Sequence, residues 1–111
     1  CIMYGANDAI HSIDPADIVN SLQTIIELCR ENKTIPIVGL APPQTGEHAI
    51  FNPNVVDINV AIMNKCGAMG VICVNVYGAF GSTPEIYLTS DGLHTNPDGS
   101  MIIAQQFAKC F

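Results

Sequence analysis

Three times in 111 residues an Asx-Pro pair follows a largely apolar run, and this recurrence constrains the fold more than any other feature. Cys1 to Tyr4 precedes Asp14-Pro15, Ile35 to Leu40 precedes Asn52-Pro53, and Val71 to Val76 precedes Asn96-Pro97. Continuous rather than alternating apolar runs are the mark of strands buried on both faces. Asx followed by Pro is a helix start, because the Asx side chain can accept from the first-turn N–H groups and Pro suits the first helical position. After Asp14, residues Ile18, Leu22, Ile25, Ile26 and Cys29 recur at helical spacing, and Asn32-Lys33 ends the pattern. After Asn52, the expected inner stripe is Val56, Val60 and Met63, with Gly67 as the C-terminal cap. After Asn96, Ile103 and Phe107 are the expected core residues. The segments 41–52 and 77–90, rich in Gly and Pro, read as loops.

Strand and helix therefore alternate three times, which implies a parallel sheet covered by helices on both faces. The expected fold class is α/β, a flavodoxin-like three-layer α/β/α sandwich of which residues 1–111 supply the later half as one partial domain. With 49% hydrophobic and 13% charged residues the chain can build a core. A net charge of −6 with four Lys and Arg offers no electrostatic footprint for nucleic acid. No uninterrupted apolar run is long enough to span a bilayer. The five cysteines contain no C-x-x-C pair, and their odd number argues against a closed disulfide framework.

In an open α/β sheet, ligands bind outside the carboxyl ends of the strands. Two segments placed there carry unusual polar groups. Gly5-Ala6-Asn7-Asp8 follows the first strand: Gly5 permits a sharp turn, and the Asn7 amide can face a developing oxyanion. Taken alone the same residues also read as an Asx turn. Asp91-Gly92-Leu93-His94 follows the third strand. Asp91 can reach the imidazole Nδ1 of His94 and leave Nε2 free to take a proton, or the pair can be solvated loop residues. His11 lacks companions for a metal site, and no metal or other cofactor is expected.

In this order the two blocks resemble those of the SGNH, or GDSL-like, serine ester hydrolases. Tyr4-Gly5-Ala6-Asn7-Asp8 is similar to the family's G-x-N-D block, and Ser90 to Gly99 to its D-x-x-H block and trailing Gly; Thr95 stands where the family usually has Pro. The resemblance covers essentially the whole chain. It implies that Asn7 is an oxyanion donor, His94 the general base and acid, and Asp91 its orienting partner. The loop after Leu40, with Pro42 and His48, would shape the acyl or alcohol site beside Gly5. The family's nucleophilic serine lies in a G-D-S block that does not occur here, and Ser12, Ser21, Ser82 and Ser90 lack its context. The nucleophile is therefore expected upstream of Cys1 or on a paired chain. The implied substrate is a small ester: a carboxylic ester, thioester, acetylated sugar or lysophospholipid. Two other readings are a non-catalytic binding module on the same fold and a flavodoxin-like nucleotide-binding domain, the latter weakened by the lack of a Gly-rich phosphate loop.

Overall fold

The computed structural model describes residues 1–111. Three strands, β1 (Ile2–Met3), β2 (Ile37–Gly39) and β3 (Ile72–Val74), form one parallel sheet in the order β1-β2-β3. Ile2 pairs with Val38, and Ile37, Val38 and Gly39 pair with Ile72, Cys73 and Val74. Five helices accompany them: α1 (Ala6–Ile10), α2 (Pro15–Glu31), α3 (Asn52–Met69), α4 (Val76–Ala79) and α5 (Pro97–Ala108). Short 3₁₀ turns at Gly46–Phe51 and Pro84–Tyr87 give shape to the two segments expected to be irregular.

Alternation along β2 separates two cores. Val38 points to one face, with Ile18, Leu22 and Ile26 of α2 and Val55, Ile58 and Ile62 of α3. Ile37 points to the other, with Val74, Phe80, Leu88 and Phe107. Helices thus cover both faces, and the expected three-layer α/β/α arrangement is present. Gly39 shares the second face. A Cβ there would stand 2.7 Å from Phe107 Cζ, so the absent side chain is what lets α5 lie close to the sheet.

All three helices start at their Asx-Pro pairs, but the Asx side chain caps in only two of them. Asp14 Oδ1 accepts from Ala16 N at 2.9 Å, and Asn96 Oδ1 from Gly99 N at 2.9 Å. Asn52 does not cap. Its amide instead grips the backbone of Gln44, accepting from Gln44 N and donating to Gln44 O, both at 2.8 Å. The inner stripe of α3 also differs from expectation. Val56, Val60 and Met63 are more than two-fifths exposed, and the buried line is Val55, Ile58, Asn59, Ile62 and Cys66. This helix is apolar on more than one side, so spacing alone does not choose the inward face. Asn59 chooses it, because its amide must face the buried backbone of Ala41, donating to Ala41 O and accepting from Ala41 N, both at 2.9 Å. Gly67 lies inside the helix; Gly70, at φ 65°, ends it. On α5, Phe107 is buried, while Ile103 is only partly so.

β1 and β3 are the two edges. Ile72, at the start of β3, is 49% exposed, against the expectation of a strand buried throughout: its side chain stands on a part of the sheet face that no helix covers. No helix is long and apolar enough to cross a membrane.

Candidate active site

Because the strands are parallel, their carboxyl ends share one rim, and the segments after β1, β2 and β3 all emerge there. After β1 the chain turns at Gly5, φ 108°, a conformation that side chains disfavour. A Cβ at Gly5 would also approach Ile58 Cγ2 to 2.8 Å, so glycine lets the turn sit on α3. The turn leads into α1 rather than into an open loop. Asn7 occupies its first turn and is exposed. Gly5, Asn7 and Pro42 line one open hollow of about 240 Å³, together with Met3, Tyr4 and Ala6.

After β3, residues 88–95 fold back on themselves. Leu88 and Thr95 form an antiparallel bridge, and Thr89 N donates to His94 O at 2.7 Å. Asp91 sits inside this bend. Its Oδ1 accepts from Thr89 Oγ1 at 2.7 Å, Leu93 N at 2.8 Å and His94 N at 2.9 Å. Its Oδ2 pairs with His94 Nδ1. A carboxylate only accepts, so Nδ1 carries the proton of this bond and Nε2 is left as the ring's outward nitrogen. The His94 side chain is 75% exposed, which leaves Nε2 open to a reactant. The His94 hydrogen bond, the Leu93 N–H, the Thr89 hydroxyl and the His94 N–H together hold the Asp91 carboxyl well below the usual carboxylate range.

The segment after β2 touches both of its neighbours on the rim. Gln44 Nε2 donates to Ala6 O at 3.0 Å. Thr45 N donates to Gly92 O at 2.8 Å. His48 Nδ1 lies 2.7 Å from Asp91 O, and because a carbonyl can only accept, this nitrogen also carries a proton. His48 therefore braces the Asp91 turn through the backbone; it does not line the hollow beside Asn7. Gly92 is required at this junction: its φ is 71°, and a Cβ would stand 2.1 Å from Thr45 O. Gln44 and Asn59 carry no expectation from the sequence, and Asn52 was expected only to cap a helix. Their signal was the placing of amide side chains beside or within apolar segments, where each must find a backbone partner.

No three His, Cys, Asp or Glu side chains are grouped as metal ligands. The arrangement offers an imidazole oriented by a carboxylate and, on the far side of the β2 segment at the same rim, an exposed amide.

Residues 1–102 match the profile of the GDSL-like Lipase/Acylhydrolase family. The chain belongs to this family. No curated protein sequence matches it. Among solved structures, this GDSL-like chain is similar to a lipolytic protein of the G-D-S-L family from Veillonella parvula, with TM-score 0.80 and 20% identity over 98% of this chain and 60% of that one. It is similar to a GDSL-like lipase from Bacteroides thetaiotaomicron, with TM-score 0.81 and 19% identity over 98% and 59%. It also resembles an acetylxylan esterase from Geobacillus stearothermophilus, with TM-score 0.79 and 16% identity over 97% and 56%. At these identities the likeness is one of fold. The chain spans about three fifths of the length of these GDSL-like structures.

Proposed function

We propose that this chain carries the proton-transfer and oxyanion-binding half of a serine ester hydrolase. The observation that supports it most is the pairing of His94 Nδ1 with Asp91 Oδ2, with the rest of the imidazole open to solvent. An imidazole held this way can take a proton at Nε2 while the carboxylate stabilises the imidazolium that forms. In the proposed reaction a serine hydroxyl attacks an ester carbonyl and passes its proton to His94 Nε2. The carbonyl electron pair moves onto oxygen, where the Asn7 amide donates to it. Collapse expels the alcohol, which takes the proton from His94, and water then repeats the sequence on the acyl-enzyme.

The serine comes from outside residues 1–111, on an upstream segment of the same protein or on a paired chain. The hollow lined by Gly5, Asn7 and Pro42 is the place for the acyl group. A relative in fold that is an acetylxylan esterase makes acetyl esters of carbohydrates the first natural substrates to try.

The test is turnover of a short-chain aryl ester by the full-length protein. His94→Ala is expected to lower kcat by at least about 1,000-fold. Turnover unchanged by that substitution removes the proposed base and, with it, this reading.

A further inference from the structure

One dipeptide touches both halves of the proposed site. Gln44 is 2% exposed, and its Nε2 donates to Ala6 O. That carbonyl belongs to the peptide joining Ala6 to Asn7, so the bond holds the unit from which the Asn7 side chain springs. The next residue, Thr45, donates its N–H to Gly92 O, one residue beyond Asp91. The Gln44 backbone is not free to drift, since Asn52 grips both its N–H and its carbonyl. Its side chain therefore swings from an anchored point.

Building on the hydrolase reading above, we propose that Gln44 is a positioning residue: it sets where the Asn7 amide stands relative to the Asp91–His94 turn. A structural role alone accounts poorly for this side chain. Its Oε1 is buried with no hydrogen-bond partner, an arrangement that spends stability instead of adding to it. An apolar residue of the same length would fill the space without burying an orphan acceptor. What such a residue cannot do is hold the Ala6–Asn7 peptide.

Oxyanion stabilisation depends on donors placed within a few tenths of an ångström, and a displacement of about 1 Å costs on the order of 100-fold in rate. In the full-length protein, Gln44→Met is accordingly expected to lower kcat for an aryl acetate by about 10- to 100-fold, with KM and Tm close to those of the parent. Because Gln44 acts through Asn7, the Asn7→Ala, Gln44→Met double variant is expected to be no slower than Asn7→Ala alone. A merely structural contribution would lower Tm and would multiply with the Asn7 effect. Unchanged kcat in Gln44→Met, or losses that multiply in the double variant, overturns the proposal. Should Gln44→Met fail to fold, Gln44→Glu keeps the shape, replaces the donor with an acceptor, and must show the same kcat loss and the same non-additivity. His94→Ala in the same assay separates the two levels. Turnover surviving there removes the hydrolase reading and this one together, whereas an inactive His94→Ala beside a fully active Gln44→Met removes only the role of Gln44.

Discussion

Asp91 divides its two carboxylate oxygens between two tasks. Oδ1 gathers Thr89, Leu93 and His94 N into the bend, and Oδ2 orients the imidazole. Asp91→Asn separates them. The amide oxygen can still hold the bend, but the NH₂ that replaces Oδ2 cannot accept from Nδ1–H, and the ring is driven to the wrong tautomer. We expect a kcat loss of about 1,000- to 10,000-fold with Tm little changed, read by steady-state kinetics and thermal melting side by side. The same bonds fix the sign of a pH effect. Asp91 is shifted downward, so its contribution to the folded state is at full strength above the usual carboxylate range and fades only as pH falls below it. The carboxyl carbon of Asp91, followed by NMR, should show no titration between pH ~7 and ~4. At Cys73, burial comes first and the neighbouring Cys66 second in pushing the thiol up to about 12. Alkylation of Cys73 by iodoacetamide at pH ~8 should therefore be at least about 100-fold slower in the native protein than in the denatured one, as judged by mass spectrometry.

Among the elements, α3 does most to assemble the rim. Three of its asparagines reach two of the rim segments: Asn54 holds Ala9 O at 3.0 Å after β1, and Asn52 and Asn59 hold Gln44 and Ala41 after β2. Asn59→Ala would leave both the N–H and the carbonyl of Ala41 buried and unpaired. The expected cost is about 2–4 kcal/mol, measurable by urea unfolding. This helix also shows where sequence reading fell short. Its start at Asn52-Pro53 was legible, but its end was placed at Gly67 instead of Gly70, and its inward face was not legible, because Val55, Ile58 and Ile62 and the line Val56, Val60 and Met63 are equally apolar. A polar residue inside the true stripe, Asn59, was the only discriminator, and its value becomes visible once Ala41 is seen to lack any other partner. The short helix α4 and the two 3₁₀ turns were likewise hidden, since elements of one or two turns leave too few residues for a period to show.

At the scale of the whole molecule, the parallel sense of the strands followed from the alternation of apolar runs and helix starts, and with it the common end of the sheet from which the segments bearing Asn7, Asp91 and His94 emerge; the order of the strands in the sheet did not. The contacts that tie those segments together did not follow, because they run through backbone carbonyls that have no sequence signature. The sheet leaves β1 as an edge, with Met3 38% exposed. Unpaired parallel edges invite pairing between molecules. Residues 1–111 prepared alone are expected to self-associate with rising concentration in sedimentation experiments. The asparagines of α3 carry a wider consequence. Since Asn59 meets Ala41 as a neighbouring strand would, the helix and the rim turn as one piece, like a key in a lock. Cys66 lies two turns further along, about 10 Å away. A bulkier residue at that distant point can displace the helix only by straining both Asn59 bonds to Ala41, so a packing change deep in the core is felt at the rim.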